Sequence, residues 1–294
     1  MEPKRDEPGQ SSMTSTTDPA AGRFHGNTER FHGNTERFSG FAALYDRYRP
    51  PPPRDLAQLL LQFGGFADLA LVVDLGSGTG LSTRYWADRA KQVIGVEPST
   101  DMRAQALTAG AQDNVSYREG WGHATALPAG CATIVSCSQA LHWMEPQATF
   151  EEAARVLIHG GVFAACDYDW PPLTGSWQAD SAFERCLCRV RELERQLNLS
   201  ERLAQWSKDE HLARMKASGC FRYAHEASLH CADMGNSDRL VGLMLSQGGT
   251  MDLLKAGLTE SELGIDELRE LAARTLGAES HPWLWSARIR MAVV

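Results

Sequence analysis

The stretch of sequence that decides the fold is Val72-Val73-Asp74-Leu75-Gly76-Ser77-Gly78-Thr79-Gly80. An apolar run typical of a buried strand passes through an acidic residue into three glycines separated by single residues. Glycine has no side chain, so this loop can turn tightly and let a ligand lie against its amides. A dinucleotide-binding loop has the pattern G-x-G-x-x-G, whose third glycine would fall at position 81, which is Leu81. The G-x-G-x-G spacing therefore predicts a ligand loop of a different class.

The composition is that of a globular protein with small or cationic partners. The chain has 294 residues, of which 43% are hydrophobic and 22% charged, enough for one large domain or one domain with an insertion. A net charge of −8 without a dense Lys/Arg run argues against a nucleic-acid partner. The polar segment 1–18 is not a secretory signal, and no stretch approaches the roughly 20 apolar residues of a membrane helix. Seven cysteines, an odd number, indicate free thiols in a reducing cytoplasm, so we expect a cytoplasmic protein.

The N-terminal region contains a perfect repeat, Phe-His-Gly-Asn-Thr-Glu-Arg at 24–30 and again at 31–37. A seven-residue period is typical of coiled coils, but two copies containing Gly-Asn should not sustain a heptad helix. We interpret the repeat as a local duplication and predict that residues 1–37 form a disordered tail, of which only the second copy need be ordered. A short aromatic helix follows and is ended by the prolines at 50–53.

Strands and helices alternate from residue 54, which favours a parallel α/β sheet. Residues 38–170 are expected to form the core with an N-terminal lid helix, 171–219 a helical insertion capping the substrate, and 220–294 the rest of the core. Two helices are predicted between the last strands, the second with the capping-box pattern Thr259-x-x-Glu262. The predicted strands are 70–75, 93–96, 115–117, 133–137, 162–166, 221–230 and 284–291. The fold class is therefore a Rossmann-like, seven-stranded, mostly parallel sheet with the insertion between strands five and six.

Several motifs follow the glycine loop in a fixed order. They are Glu97 at the end of strand two, Ala124-Thr125-Ala126-Leu127-Pro128, Ser138-Gln139-Ala140-Leu141-His142-Trp143, and Arg155-Val156-Leu157-x-x-Gly160-Gly161. Together they resemble the class I S-adenosylmethionine (SAM)-dependent methyltransferases of the methyltransferase-11 type, near the trans-aconitate methyltransferase branch. The resemblance covers about residues 38–170. It implies SAM as cofactor.

This resemblance assigns the cofactor-binding residues. The loop Gly76, Ser77, Gly78, Thr79 and Gly80 would lie against the methionine part of SAM, and Asp74 would accept from its ammonium group, directly or through water. Glu97 would accept both ribose hydroxyls. The family's acidic residue facing adenine is missing, so His123 or the backbone of Ala124 is expected there. Ser138 and Gln139 should border both the sulfonium and the incoming substrate, and Tyr45 is a candidate ring beside the sulfonium.

The acceptor side is predicted from aromatic and charged residues near the ends of strands four and five. His142 is a candidate general base, with a structural histidine as the alternative. A carboxylate acceptor would need no base and would make a cationic anchor such as Arg49 more important. The other expected substrate contacts are Tyr48, Trp143, Asp167, Tyr168, Asp169 and Trp170.

The sequence thus predicts a methyltransferase acting on an O, N, S or carboxylate of a small molecule, without a membrane partner. No metal is expected, because His225 and His230 are five apart in a predicted strand and face opposite sides. A methyltransferase acting on protein or tRNA, or a SAM-fold protein with other pocket chemistry, stays open. The sequence does not choose between monomer and homodimer.

Overall fold

A seven-stranded sheet forms the centre of the molecule. The structure, a computed structural model, describes residues 28–110 and 112–294. The strands are β1 (Leu71–Leu75), β2 (Gln92–Val96), β3 (Val115–Arg118), β4 (Ala132–Ser138), β5 (Leu157–Tyr168), β6 (Tyr223–Gly235) and β7 (His281–Val293). Their order is β3-β2-β1-β4-β5-β7-β6; β1 to β5 are parallel, and β7 runs antiparallel to β5 and β6. The predicted Rossmann-like, mostly parallel fold is confirmed.

Helices cover both faces of the sheet. They are α1 (Thr28–Arg37), α2 (Ala42–Tyr48), α3 (Leu56–Gly64), α4 (Leu81–Ala87), α5 (Thr100–Thr108), α6 (Pro146–Val156), α7 (Trp177–Gln196), α8 (His211–Ala217), α9 (Ser237–Leu245), α10 (Gly248–Lys255) and α11 (Ile265–Thr275). One core cluster includes Trp86 and Phe183, and the other includes Phe150 and Phe163. None of the helices in the described ranges is long and apolar enough to cross a membrane.

The sheet topology places a crevice beside the glycine loop. From β1 the chain moves outward to β2 and β3, and then returns to β4 on the other side of β1. The loops leaving β1 and β4 therefore diverge at the carboxyl edge of the sheet, which is where open α/β sheets bind ligands. The loop of residues 76–80 and the segment 138–143 both lie at this edge.

The N-terminal region differs from the prediction. Residues 1–27, with most of the first repeat, lie outside the described part of the chain. Helix α1 begins at Thr28 and includes the whole second copy, so the expected disordered tail 1–37 contains a helix despite its Gly-Asn pair. Contacts with the body of the protein, described below, compensate for the poor helix propensity of glycine and asparagine.

The C-terminal half has more helix than predicted. Three helices, α9, α10 and α11, connect β6 to β7, where two were expected, and α7 packs against all three. The predicted capping box exists: the Thr259 amide donates to Glu262 (2.8 Å), and the Glu262 amide donates to the Thr259 hydroxyl (3.3 Å). It closes a turn before α11, whose first residue is Ile265. Strand β5 begins at Leu157 and not after the glycine pair, because Leu157 already pairs with Ala132.

Candidate active site

The glycine loop is anchored to the end of β2. The amides of Gly76 and Ser77 both donate to the Val96 carbonyl, at 2.8 and 3.2 Å. Gly78 has a φ of +54°, which favours glycine, and a Cβ placed there would meet nothing within 4 Å. The loop therefore presents bare backbone to an open space, as close approach of a ligand requires.

Glu97 lies next to this backbone. Its carboxylate accepts from the amides of Gly78 (3.0 Å) and Ser99 (2.9 Å), and only 8% of the residue is exposed. Burial raises the pKa of Glu97, while the two amide donors oppose that rise. The carboxylate is thus fixed at the rim of the open space with lone pairs left for a ligand.

The glycine loop and Glu97 line what we call the loop cavity. The remaining walls come from α1, α2, the start of α5, the turn after β3 and the segment after β4. Its lining residues are Asn34, Thr35, Phe38, Tyr45, Gly76, Gly78, Glu97, Pro98, Ser99, Met102, Trp121, Gly122, Ser138, Gln139, Ala140, Trp143 and Met144. Of the predicted cofactor residues, Gly76, Gly78, Glu97, Ser138, Gln139 and Tyr45 meet here, and Trp143 joins them from the predicted substrate set.

Asp74, predicted to accept from the ammonium group of SAM directly or through water, does not line the loop cavity. It is fully buried behind the loop, where it accepts from the hydroxyls of Ser82 (3.1 Å), Thr83 (2.8 Å) and Ser136 (2.9 Å). Burial raises its pKa to about 6, against these three donors. Asp74 therefore joins β1, β4 and α4 beneath the loop.

Other predicted cofactor residues also lie outside the loop cavity. A Cβ at Gly80 would lie 2.3 Å from the Tyr117 hydroxyl, so Gly80 allows a close internal contact. His123 and Ala124 belong to the turn after β3, but Trp121 and Gly122 of that turn line the cavity instead. Ser77 and Thr79 line an adjoining crevice beside Arg49 and Trp170.

A second space, which we call the cationic cavity, opens on the other side of α1 with a volume of about 310 Å³. Four basic side chains and one carboxylate line it. The lining residues are Arg37, Phe38, Tyr45, Arg49, Gln139, His142, Trp143, Trp170, Leu187, Val190, Arg191, Glu194, Leu203, Gln205, Lys208, Gln247, Gly248 and Gly249. Residues 247–249 begin α10, so the segment 220–294 supplies part of this wall along with the insertion.

Arg49 is the buried cation of this cavity whose hydrogen-bond acceptors are all neutral. It donates to the Ser246 hydroxyl (2.9 Å) and carbonyl (2.8 Å), and its guanidinium lies over the rings of Tyr45 (4.9 Å) and Trp170 (4.7 Å). Among the described residues, no carboxylate lies within ion-pair distance of it. Burial lowers the pKa of Arg49, which shows how poorly its charge is solvated.

Two other cations of this cavity have internal partners. Arg37 contacts Glu194 (2.8 Å) and Asp252 (2.9 Å). The Lys208 ammonium forms an ion pair with Asp167 at 3.0 Å. The single lining carboxylate, Glu194, is therefore already paired, and the cavity keeps an excess of positive charge.

His142 lines the cationic cavity as predicted, but its environment holds it neutral. Burial lowers its pKa well below the usual value, and the Lys208 ammonium adds to this effect. Its Nδ1 lies 3.9 Å from Asp167 Oδ1, beyond hydrogen-bond distance.

Four predicted substrate residues do not line either cavity. Tyr48 donates to Asp238 (2.9 Å) and packs on α9, while Tyr168 donates to the Pro51 carbonyl (2.7 Å). Asp167 is buried behind Lys208, and Asp169 is exposed and paired with Arg288 (3.1 Å). Trp143, Trp170 and Arg49 do line the cationic cavity.

The two cavities share one wall, formed by Phe38, Tyr45, Gln139 and Trp143. The Phe38 ring lies edge-on to Trp143 at 5.6 Å and to Tyr45 at 6.4 Å. Three aromatic rings and one amide thus line both the space beside the glycine loop and the cationic space, so the two cavities adjoin at this shared wall. A group on one ligand would meet a second ligand beside it.

Sequence reasoning missed the residues that α1 contributes. Asn34 donates to the carbonyls of Trp143 (2.9 Å) and Ala204 (2.8 Å) and accepts from the Ala204 amide (3.2 Å). Arg37 lies over the Trp143 ring at 5.2 Å. Their presence in the repeated heptapeptide was the available signal, since a polar Asn-Thr-Glu-Arg run beside phenylalanines is amphipathic on a helix. Among the described residues, no group of three or more His, Cys, Asp or Glu could hold a metal.

Comparison with known proteins is consistent with this geometry. Residues 73–165 match the family model of the methyltransferase domain. A Dictyostelium discoideum protein named as a methyltransferase is 32% identical over 115 residues, covering 39% of this chain and 43% of that protein. Erythromycin 3''-O-methyltransferase of Saccharopolyspora erythraea is 32% identical over 123 residues, covering 39% and 40%. The matches thus span less than half the length of these curated relatives.

A solved structure extends the likeness to the whole fold. A protein assigned as a type II methyltransferase, from Anaeromyxobacter dehalogenans, matches with a TM-score of 0.62 at 19% identity, covering 84% of this chain and 98% of that one. At this identity the likeness shows the fold alone. Residues 73–165 therefore match the methyltransferase domain model, and the chain as a whole has the Rossmann-like fold of that solved structure.

Proposed function

We propose that this chain is a SAM-dependent methyltransferase that methylates a small carboxylic acid. The observation that carries the proposal is the pair of cavities with a common wall: one is framed by the glycine loop and Glu97, and the other holds the unpaired guanidinium of Arg49. The methyltransferase domain match includes the lining residues of the loop cavity from Gly76 to Met144, and α1, α2 and the turn between them supply the rest. The resemblance of the sequence to the trans-aconitate branch agrees with an acidic acceptor.

The loop cavity has the donors and acceptors that SAM requires. The Glu97 carboxylate is positioned to accept from a ribose diol, and the backbone at Gly76 and Gly78 leaves room for the amino-acid part. The rings of Phe38, Tyr45 and Trp143 line the loop cavity, where a ring face beside a cation is worth about 0.5–2 kcal/mol. When bound, SAM supplies a sulfonium methyl group for in-line transfer to a nucleophile.

The cationic cavity selects the acceptor by charge. A carboxylate entering it would supply the counter-ion that Arg49 lacks, and Arg191 at the exposed side adds a second cation. Arg guanidinium binds carboxylates in a two-point geometry, which also orients them. A carboxylate oxygen is ionised at neutral pH, so this chemistry needs no general base. The protein then contributes alignment and exclusion of water, which can be worth about 7–11 kcal/mol.

The relatives support a small acceptor. The Saccharopolyspora enzyme is named for methyl transfer to an oxygen of erythromycin, a small molecule. The walls of the cationic cavity include Leu187, Val190 and Leu203, which enclose a volume suited to a metabolite and not to a folded macromolecule.

The test is a labelling experiment with methyl-tritiated SAM and a panel of small carboxylic acids, alcohols and amines. We expect base-labile methyl esters from one or more acids. Arg49→Met should raise the KM for the acid at least about tenfold, equivalent to about 1.4 kcal/mol, while SAM affinity stays unchanged. Arg49→Lys should recover part of the loss.

Arg47→Met is the matched control, because Arg47 lies two residues before Arg49 at the end of α2, is largely exposed and faces Asp238. It should leave the KM unchanged. Transfer only to alcohols or amines, only to added protein or tRNA, or SAM binding without transfer to any acceptor would each contradict the proposal.

A further inference from the structure

We propose that Gln139 positions the acceptor for methyl transfer, and that Lys208 fixes the orientation in which it does so. The inference rests on the proposed function and names the atom that is methylated, an oxygen. Gln139 lies on the common wall and borders both cavities. Lys208 was not among the residues predicted from the sequence.

The orientation of the Gln139 amide follows from its contact with Lys208. The ammonium of Lys208 lies 2.8 Å from Oε1 of Gln139. A lysine ammonium can only donate, so the atom it contacts must be the amide oxygen and not the nitrogen. The Gln139 NH2 group is therefore turned away from Lys208.

This NH2 group is buried and has no partner among the described residues. A buried donor without an acceptor is unfavourable, and such groups in native proteins are usually satisfied by a ligand or water. Because Gln139 borders both cavities, a ligand oxygen at the common wall is the acceptor that would satisfy it.

The backbone holds Gln139 in this place. Its φ is +54°, a left-handed conformation that a glutamine seldom adopts. The backbone N–H of Gln139 donates to the Cys166 carbonyl of β5 at 2.8 Å. Such conformations concentrate where the surrounding structure positions a functional side chain. The end of β4 thus directs Gln139 toward the common wall.

Lys208 is itself fixed from behind. The carboxylate of Asp167, with 3% of its side chain exposed, contacts Lys208 (3.0 Å) on one oxygen and the fully buried Arg290 (3.1 Å) on the other. Burial alone would raise the pKa of Asp167, but the Lys208 ammonium lowers it below its usual value. Arg290, Asp167, Lys208 and Gln139 therefore form one chain of contacts that ends at the common wall.

This arrangement selects an oxygen nucleophile. The amide N–H can donate to one oxygen of a carboxylate, which leaves the other oxygen to attack the methyl carbon. The new O–C bond forms as the C–S bond breaks, the electron pair passes to sulfur, and no proton is released. An ammonium or amine at the same place would face the Gln139 donor and the Lys208 charge, so nitrogen acceptors are disfavoured.

The test compares binding and turnover in four variants. Succinate binding is measured by calorimetry with S-adenosylhomocysteine present, beside the diol and the diamine of the same chain length, and kcat and KM are measured with the best acid of the panel. We expect Gln139→Met and Lys208→Met to weaken succinate binding and lower kcat at least tenfold, with SAM affinity unchanged. Lys208→Arg should retain binding within about threefold. Gln139→Glu should abolish succinate binding and raise the affinity for the diamine.

Lys216→Met is the control, since Lys216 is an exposed lysine of α8. This inference would be overturned if Gln139→Met left succinate binding and kcat unchanged. If Arg49→Met still weakened succinate binding, the proposed function would stand. Absence of acid binding and methyl transfer in the unmodified protein would overturn both.

Discussion

Three hydroxyl groups meet the carboxylate of Asp74, and no cation lies within ion-pair distance of it among the described residues. Burial raises its pKa from 3.8 to about 6. The folded protein therefore keeps this proton up to about pH 6, while the unfolded chain loses it near 3.8. The stability that Asp74 contributes is present at acid pH and is lost as the pH rises through 6.

This gives a prediction for Asp74→Asn, which cannot titrate. Between about pH 4 and pH 7.5, the free energy of unfolding of the unmodified protein should fall relative to that of the variant by up to about 3 kcal/mol. Urea unfolding across this range measures the difference. Asp68→Asn, at an exposed aspartate, is the control, and parallel pH curves for Asp74→Asn and the unmodified protein would contradict the prediction.

His142 leads to a second prediction, about the pH dependence of the reaction. Its pKa lies well below 6.5, and a carboxylate acceptor is ionised throughout the neutral range. We therefore expect kcat with an acid acceptor to be independent of pH between about 6.5 and 8. A titration limb in this range that disappears in His142→Asn would show instead that His142 acts as the general base.

At the scale of elements, α1 closes the wall between the cavities through a few buried polar contacts. Asn34 makes three hydrogen bonds to residues 143 and 204, and Arg37 contacts carboxylates of α7 and α10. Asn34→Ala should leave buried backbone groups unpaired, at a cost of about 1–3 kcal/mol each.

We predict that this variant loosens α1, so that SAM binds at least about tenfold more weakly and proteases cleave within residues 28–37 faster. Limited proteolysis with and without SAM measures both effects. Glu36→Ala, on the exposed face of the same helix, should behave like the unmodified protein. If proteases cleave α1 at the same rate in Asn34→Ala and in the unmodified protein, other contacts hold the helix in place.

The elements of the sheet could be predicted from local sequence, because parallel strands are apolar runs bounded by turn residues. The same reasoning predicts the places of the glycine loop, Glu97, Ser138 and Gln139. Each comes directly after a strand, and the carboxyl ends of parallel strands meet at one edge of the sheet. The contacts that complete the site could not be predicted from local sequence. They are hydrogen bonds between residues far apart in the chain, from Asn34 to residue 204 and from Lys208 to Gln139. These pairings depend on how α1 and the insertion dock, which no local pattern specifies.

Asp74 illustrates the same limit at the loop itself. Its position before the first glycine was clear from the sequence, but its direction was not, because three hydroxyls from α4 and β4 compete for its oxygens. The capping box of Thr259 and Glu262 could be predicted, because its two partners lie only three residues apart in the sequence.

For the whole molecule, cofactor binding should be coupled to global stability. SAM binds the folded state alone, so a concentration of 100 times Kd should add about 2.7 kcal/mol to the free energy of unfolding and raise Tm by several degrees. Thermal unfolding with increasing SAM measures this shift. Glu97→Ala should abolish most of it; a full shift in that variant would show that SAM binds away from the loop cavity.

The repeated heptapeptide has a consequence for the history of the chain. Removing either copy would give the same sequence, and the copy that docks, with Asn34, Arg37 and Phe38, would still directly precede Ser39. What would change is the start of α1, because Thr28–Arg30 come from the first copy. Gaining or losing seven residues here would therefore change the start of the helix and leave every docked residue in its register.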